Sequence, residues 1–129
     1  MDTDEEKLNQ ITEKIIGCAF EVHNTLGPGF AERVYENALV YELRRLGLSV
    51  QQQVPVVGRY KGVVIGEYTA DLIVEAVVLV ENKAVRNFDD GHTAQCINYL
   101  ACTALPICLL LNFGKNVEVK RCRGNASPH

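Results

Sequence analysis

The fold is decided by one stretch of sequence, which reads DLIVEAVVLVENKA from Asp71 to Ala84. Runs of aliphatic residues end near Glu75 and resume at once, which predicts two strands joined by a short turn. Side chains alternate across a strand, so Glu81 and Lys83 share one face of the second strand. A hairpin would bring Asp71 of the first strand close to both of them.

Two carboxylates and a lysine are costly to bury at the ends of apolar strands unless they meet each other or a cation. Carboxylate oxygens and a backbone carbonyl are hard ligands, which suit Mg²⁺ or Mn²⁺. Lys83 would then orient or deprotonate a water molecule, or stabilise charge developing on a phosphate. The alternative is a structural ion pair with a spare carboxylate, since such pairs also perturb charged groups.

Two helices are predicted before this stretch. Apolar residues recur every three or four positions at Leu8, Ile11, Ile15, Ala19, Val22 and Leu26. This spacing predicts one apolar face of a helix about five turns long, and Gly27-Pro28-Gly29 ends it. A second helix is predicted from about Ala31 to Leu46, with its own apolar stripe.

The remaining segments predict a mixed α/β domain. Segments rich in Val, Ile and Tyr predict three or four strands of an antiparallel meander, at residues 50–57, 63–65, 68–75 and 77–84. Asp89 or Asp90 then caps a helix to about Thr103. The apolar run Ile107–Leu111 predicts a strand covered on both faces, and the alternating Val117–Cys122 predicts a last edge strand. The order is α-α-β-β-β-α-β-β in one α/β sandwich.

Composition limits the classes of function. The 129 residues are 47% hydrophobic and carry a net charge of −3, which indicates one globular domain and excludes a whole-surface polyanion binder. The five cysteines show no CxxC spacing, which favours buried free thiols in a reducing cytoplasm. The acidic N-terminus is unlike a signal peptide. Cys96–Gly114, the longest uncharged stretch, contains polar residues and a proline, so no membrane span is expected.

The motifs of the chain resemble those of a known family. Asp71 followed by Glu81-Asn82-Lys83 resembles the D…(D/E)XK signature of the PD-(D/E)XK nuclease superfamily. Residues 29–35, which read GFAERVY, resemble the Gly-x-x-Glu-x-x-Tyr motif that names the small bacterial GxxExxY protein family. Further segments fit that family's pattern: Glu36-Asn37-Ala38-Leu39, Tyr60-Lys61-Gly62, Gln95-x-x-Asn98-Tyr99-Leu100 and Leu111-Asn112-Phe113-Gly114.

The resemblance covers roughly residues 8–122 and implies a fold and a site. The implied fold is a restriction-endonuclease-like α-β-β-β-α-β core, here with an extra N-terminal helix and a C-terminal edge strand, in a single domain of residues 1–129. The implied site is that of a metal-dependent phosphodiesterase. Asp71, Glu81 and the carbonyl of Asn82 would bind the metal, and Lys83 would be the catalytic lysine.

The second and third helices would add residues to this site. Glu36 is preferred as an additional metal ligand, with Glu32 and Tyr35 as supporting residues. Either acid could instead simply stabilise the start of its helix. Gln95 and Tyr99, one helical turn apart, would face the site with catalytic and supporting roles, on the stripe that also carries His92. The alternative for this pair is an amphipathic rim.

One position departs from the family pattern. The middle residue of the triplet is usually apolar because it points into the core, whereas here it is Asn82. Its backbone carbonyl could still bind a metal, but its side chain is expected to need a buried partner.

We therefore expect a Mg²⁺- or Mn²⁺-dependent nuclease, with DNA favoured over RNA. Basic residues could form a phosphate-binding rim or a dispersed solvated surface: Arg33, Arg44, Arg45, Arg59, Lys61, Arg86, Lys115, Lys120, Arg121 and Arg123. The small size favours a homodimer with one site per strand. The alternatives are a catalytically silent binding or adaptor module with the same fold, and a nuclease active only within a larger complex.

Overall fold

The structure, a computed structural model, describes residues 3–124. Within these residues the elements follow one another as α1 (Asp4–Leu26), α2 (Glu32–Arg45), β1 (Val50–Tyr60), β2 (Val63–Val74), β3 (Val78–Lys83), α3 (Asp90–Thr103), β4 (Ile107–Phe113) and β5 (Val117–Arg123). The predicted order is confirmed. The segments expected at residues 63–65 and 68–75 form one strand, β2, because β1 pairs with it along nearly its whole length. The core runs from α2 to β4, with α1 as the extra helix.

The strands form a single sheet in the order β1-β2-β3-β4-β5. Neighbouring strands are antiparallel except β3 and β4, which are parallel and are connected through α3. The first three strands are therefore the predicted meander, and β5 is the predicted edge strand. β3 pairs with β2 only opposite Leu72–Val74. The rest of β2 pairs with β1 alone, so the two strands continue beyond β3 as a long hairpin.

The helices cover the two faces of the sheet. On one face α1 and α2 pack against Val78 and Val80 of β3, and on the other face α3 packs against Leu79. Every residue of β4 is buried, as its continuous apolar run predicts. Because side chains alternate along β3, Glu81 and Lys83 lie on the α3 face and Asn82 lies on the face covered by α1 and α2.

The cysteines are free thiols, and four of the five are buried. The prediction of buried thiols is wrong for Cys102, which is exposed. Helical periodicity explains the difference, because α3 turns Cys96 and Tyr99 into the core and leaves Cys102 at the edge of the helix, near Gly58 of β1. None of the helices in the described part of the chain is long and apolar enough to cross a membrane.

Candidate functional site

The candidate site lies where β2 and β3 stop pairing. The backbone ladder ends at Leu72 opposite Val80. At the next position the backbone N–H of Asp71 donates a hydrogen bond to Oε1 of Glu81 over 3.0 Å. The backbone N–H of Asn82 donates in return to Oδ2 of Asp71 over 2.8 Å. One oxygen of each carboxyl group is therefore fixed by the opposite strand, and the other oxygen accepts no backbone hydrogen bond.

The strand that carries Asp71 changes face at this point. Ala70 packs in the cluster beneath α3, whereas Leu72 packs in the cluster beneath α1 and α2. Regular alternation would place both residues on the same face. On β1, Gln53 stands opposite Asp71 and has φ 55°, in the left-handed region that non-glycine residues rarely occupy. The β1–β2 pair is therefore distorted at Gln53 and Asp71, whose side chains also contact each other.

Gln53 links Asp71 to Glu36 of α2. Its Nε2 lies 3.1 and 3.0 Å from the two carboxyl oxygens of Glu36 and 3.5 Å from Oδ1 of Asp71. The backbone strain at Gln53 thus coincides with an amide that serves both acids, a pattern typical of functional sites. The second helix and the β2–β3 junction meet through this one side chain.

Glu36 is 3% exposed, so its charge needs partners inside the protein. Besides the Gln53 amide, it accepts a hydrogen bond of 2.6 Å from Nε2 of Gln52, and Nε of Arg33 lies 3.6 Å away. Glu32, by contrast, is exposed in the first turn of α2, and its charge reaches Asp71 only as a longer-range repulsion. The structure therefore connects Glu36 to the site by hydrogen bonds.

The two glutamines were missed by the reasoning from sequence. Gln51, Gln52 and Gln53 form a polar run in a segment otherwise rich in Val. That run could have indicated a strand whose side chains serve a buried polar group. Its connection to Glu36 could not be deduced, because the partners are 16 and 17 positions apart in the chain.

The electrostatics of the site show a deficit of positive charge. Burial, reinforced by the charge of Asp71, raises the pKa of Glu81 to about 8. Burial also raises the pKa of Asp71, and the negative charges of Glu36 and Glu32 add to that rise. The backbone hydrogen bonds and the Lys83 ammonium act in the opposite direction but do not compensate. The two acids together would be stabilised by an additional cation.

Lys83 ends β3 on the same face as Glu81 and is partly buried. Its positive charge lowers the pKa of both Asp71 and Glu81. Within residues 3–124 it forms no direct ion pair with a carboxylate. The Lys83 ammonium group therefore acts electrostatically on both acids without forming an ion pair with either.

On helix α3, Gln95 and Tyr99 are hydrogen-bonded to each other, and Tyr99 also to β2. Nε2 of Gln95 donates to the hydroxyl oxygen of Tyr99 over 3.0 Å, and that hydroxyl donates to the carbonyl oxygen of Thr69 over 3.4 Å. Burial raises the pKa of Tyr99 to about 12, and the charges of Glu81 and Asp71 contribute. Tyr99 thus lies within electrostatic reach of the acidic pair and is a neutral hydroxyl near neutral pH.

The expected buried partner of the Asn82 side chain is not found. Asn82 is 1% exposed, and neither Oδ1 nor Nδ2 has a hydrogen-bond partner among residues 3–124. The expectation is wrong because Asn82 lies on the face beneath α1 and α2 among apolar residues, and its register neighbour on β4 is Leu111. The backbone of Asn82, however, takes part in the site through its N–H.

Tyr35 supports the turn between α1 and α2. Its hydroxyl donates to the carbonyl oxygen of Gly27 over 2.6 Å and accepts from the backbone N–H of Phe30 over 3.2 Å. Its ring stacks on Phe113 of β4, with centroids 4.7 Å apart. These contacts fasten the turn to the end of the sheet, so Tyr35 is connected to the loop before α2 and not to the carboxyl groups.

The donor set fits a divalent cation bound by two carboxylates and a backbone carbonyl. Among residues 3–124, no three His, Cys, Asp or Glu side chains are grouped so as to hold a metal by themselves. Asp71 and Glu81 are nevertheless adjacent; Glu81 is buried and Asp71 is partly buried, and the pKa of both is raised. Each carboxyl group keeps one oxygen free of backbone hydrogen bonds. Mg²⁺ and Mn²⁺ bind hard oxygen donors such as these carboxylates, which no neighbouring positive side chain in the described part of the chain neutralises.

Two solved structures share the fold of this chain. The protein SSO0001 has a similar structure, with a TM-score of 0.58 and 17% identity over 74% of this chain and 52% of that chain. An alkaline exonuclease, LHK-Exo from Laribacter hongkongensis, has a TM-score of 0.55 and 14% identity over 97% of this chain and 73% of that chain. This chain therefore spans about half the length of SSO0001. A search of curated proteins gives no match.

The sequence itself assigns the family. The family model of the PD-(D/E)XK nuclease superfamily matches residues 9–122, and this range contains every residue of the candidate site. Members of this superfamily generally use divalent metal ions and act on nucleic acid. The architecture described above, with a five-stranded sheet between α1–α2 and α3, is the restriction-endonuclease-like fold. Because the match extends over most of the chain, the protein belongs to the PD-(D/E)XK nuclease superfamily.

Proposed function

We propose that this protein is a Mg²⁺-dependent nuclease that hydrolyses phosphodiester bonds, with DNA as the preferred substrate and Mn²⁺ as an alternative ion. We place it in the GxxExxY subfamily and in the cytoplasm. One observation carries the proposal: Asp71 and Glu81 hold each other through reciprocal side-chain-to-backbone hydrogen bonds, and both have a raised pKa beside the unpaired ammonium group of Lys83. A purely structural ion pair would instead place the lysine in contact with one acid.

In this proposal Asp71, Glu81 and the backbone carbonyl of Asn82 hold the cation, and Glu36 completes the acidic set. When bound, the ion supplies positive charge next to the scissile phosphate and the attacking water. The amides of Gln52 and Gln53 hold the buried Glu36 carboxylate in place. These hydrogen bonds prevent Glu36 from rotating away from the site when no cation is present.

The chain's other residues act on the water and the phosphate. Lys83 orients the attacking water and stabilises the negative charge that develops on the phosphate oxygens. Gln95, held by Tyr99, positions the water or the phosphate from the α3 side. Glu32 and Tyr35 support α2 and the turn before it. A homodimer would supply one such site for each strand of a duplex.

The proposal is tested by incubating plasmid, linear duplex, single-stranded DNA and RNA with the protein in the presence of Mg²⁺, Mn²⁺ or EDTA. The wild type is compared with Glu81→Gln, which removes the charge of a buried ligand. The matched control is Glu67→Gln, which makes the same change at an exposed position of β2. Cutting that needs the metal, survives in the control and disappears in Glu81→Gln is the expected result.

Other outcomes separate the alternatives. Equal cutting by the wild type and Glu81→Gln contradicts the proposal, because the nuclease would then be a contaminant. Metal binding by calorimetry without cleavage indicates an enzyme that acts only within a larger complex. No cleavage and no difference in metal binding between the wild type and Glu81→Gln indicates a silent binding module.

A further inference from the structure

An open cleft of about 750 Å³ begins where β3 ends. Its walls are the loop after Lys83, the turn between α1 and α2, and the turn between β4 and β5. The polar residues of the lining are Arg86, Asn87, Lys115, Asn116 and Glu118, and its aromatic residues are Phe30 and the buried Phe113. Ala84 and Val85 also line it, so the lining begins one residue after the proposed catalytic lysine in the chain.

The walls of the cleft are tied to one another. The side chain of Asn112 accepts from the backbone N–H of Val85 over 2.9 Å and donates to its carbonyl oxygen over 2.7 Å. A side chain at Gly114 would place its Cβ 2.8 Å from that same carbonyl oxygen, so only glycine lets the two loops approach. Nε2 of His23 donates to the carbonyl oxygen of Gly114 over 2.8 Å. The cleft is therefore a preformed surface.

The aromatic wall is also fixed in position. Phe30 is 45% exposed, and its backbone N–H is held by the hydroxyl of Tyr35. Its ring meets the ring of Tyr35 edge to face, with centroids 6.1 Å apart. Tyr35 in turn stacks on Phe113. Phe30 thus presents a supported ring to solvent at the edge of the cleft, where a planar ligand could stack on it.

The charges of the cleft favour an anionic ligand. Arg86 and Lys115 are exposed and form no ion pair with a carboxylate among residues 3–124. The one acid of the lining, Glu118, accepts a hydrogen bond from Nδ2 of Asn112. Although the whole chain has a net charge of −3, the lining of this cleft has two basic side chains and one acidic side chain. Two basic side chains without an ion-pair partner and a supported aromatic ring are the elements of a single-strand binding site.

We propose that this cleft binds one unpaired strand of nucleic acid and leads it to Lys83, with phosphates on Arg86 and Lys115 and one base stacked on Phe30. The inference rests on the proposed nuclease function and specifies its substrate as single-stranded nucleic acid or a frayed end. An intact duplex keeps its bases stacked inside the helix, so it could not offer a base to Phe30. The shared chemistry of DNA and RNA strands satisfies this cleft equally.

The test measures binding without cleavage. Fluorescein-labelled oligothymidylate, oligouridylate and a duplex of equal length are titrated with the protein in EDTA, and fluorescence anisotropy is recorded. Phe30→Ala is compared with Phe20→Ala, because both rings are 45% exposed and Phe20 lies outside the cleft. Arg86→Gln and Lys115→Gln are compared with Lys14→Gln, an exposed lysine of α1 outside the cleft. Circular dichroism verifies that each variant is folded.

The expected result is tighter binding of the single strands than of the duplex. Phe30→Ala should weaken single-strand binding by about five-fold or more, as the loss of one stacked base predicts. Arg86→Gln and Lys115→Gln should each reduce the slope of log K against log salt by about 0.7. Phe20→Ala and Lys14→Gln should bind like the wild type. Oligothymidylate and oligouridylate should bind with similar affinity, because both carry the phosphates and stackable bases that the cleft contacts.

Two results would overturn the inference. One is equal affinity of the cleft variants and their controls, and the other is a preference for the duplex. The proposed function fails separately. If the wild type binds single strands through Phe30 but cuts none of the substrates with any divalent ion, the single-strand binding inference is supported and the nuclease proposal is rejected. If metal-dependent cutting is unchanged in the cleft variants, the nuclease proposal is supported and the role of the cleft in binding the substrate strand is rejected.

Discussion

The backbone N–H of Asp71 donates a 3.0 Å hydrogen bond to Oε1 of Glu81, the residue it would pair with if β2 and β3 continued their ladder. The return bond from the Asn82 N–H to Oδ2 of Asp71 closes the pair. Carboxyl groups thus replace backbone carbonyls as acceptors at the point where the strands diverge. Their positions are set by the sheet itself, which preorganises two oxygen donors next to Lys83.

The raised pKa of Glu81 predicts a pH dependence of stability in the absence of metal. A folded pKa of about 8 against 4.5 for an ordinary carboxyl group means that the folded protein keeps a proton that the unfolded chain releases. The free energy of unfolding therefore falls as the pH rises through this window. The fall from Glu81 is at most about 5 kcal/mol, because one pKa unit corresponds to about 1.36 kcal/mol.

Urea denaturation of the wild type and Glu81→Gln in EDTA measures this effect. The glutamine does not titrate, so the variant should lose most of the pH dependence and should be more stable than the wild type near pH 8. Added Mn²⁺ should stabilise the wild type more at the alkaline end, since its ligands must be deprotonated. Parallel curves for the two proteins would show that Glu81 is not protonated in the folded state.

Asn82 and Asn112 form a matched pair for stability measurements. Both are almost fully buried on adjacent strands, but the Asn82 amide has no partner while the Asn112 amide holds Val85 and Glu118. Asn82→Leu should raise the free energy of unfolding by about 1 to 3 kcal/mol, because it removes a desolvated polar group. Asn112→Leu should lower it by about 2 kcal/mol or more. Destabilisation by both would show that Asn82 has a polar partner in solution.

Gln53 is predicted to stabilise the buried acid of α2. Gln53→Ala removes an amide that both carboxyl oxygens of Glu36 accept from, so it should cost about 1 to 3 kcal/mol in equilibrium unfolding. Gln51→Ala serves as the control, because Gln51 is exposed on the same strand. If the double variant Gln53→Ala with Glu36→Gln regains the free energy of unfolding that Gln53→Ala loses, the loss is due to the unpartnered Glu36 carboxylate. Equal stability of Gln53→Ala and Gln51→Ala would disprove this role.

The hydroxyl of Tyr35 is predicted to stabilise the turn between α1 and α2. Tyr35→Phe keeps the ring stacked on Phe113 but leaves the Gly27 carbonyl and the Phe30 N–H without their partner. The loss should lower the melting temperature and cost about 1 kcal/mol. Tyr41→Phe is the control, because Tyr41 is 63% exposed. Unchanged melting of Tyr35→Phe would mean that water replaces the hydroxyl.

The sequence allowed the fold to be predicted because periodicity and turn residues agree along the chain. The apolar spacing of α1, the strand-length run of β4 and the Asp89 cap of α3 each have a local signal, and the structure confirms them. The single strand β2 was less predictable. Gly66 interrupts its apolar pattern, but pairing with β1 carries the strand through it. Long-range pairing of this kind has no local signal.

The acidic pair was predictable from strand alternation and its motif, but its surroundings were not. Gln53 bonds to Glu36 from a backbone with φ 55°, a conformation that no residue pattern in this segment predicts. The Asn82 side chain has no partner among the described residues because of the apolar residues that α1, α2 and β4 contribute on its face of the sheet. The role of Asn112 depends on the loop after β3 folding against β4. Such contacts join residues distant in the chain.

The most direct test of the central claim is the single-turnover rate of phosphodiester cleavage by Lys83→Ala. Lys83 is the group proposed to act on the water and the phosphate, and it is neither a proposed metal ligand nor part of the cleft lining. The variant should therefore keep its affinity for Mn²⁺ and for a single-stranded oligonucleotide. These two affinities are measured on the same preparations, and Lys14→Ala is the matched control.

We predict that the metal-dependent cleavage rate falls by at least about 100-fold in Lys83→Ala, as expected when a transition-state charge partner is removed. Lys14→Ala should cleave at the wild-type rate. A cleavage rate in Lys83→Ala equal to that of the wild type would contradict the account, because the lysine beside Asp71 and Glu81 would then play no part in the chemistry.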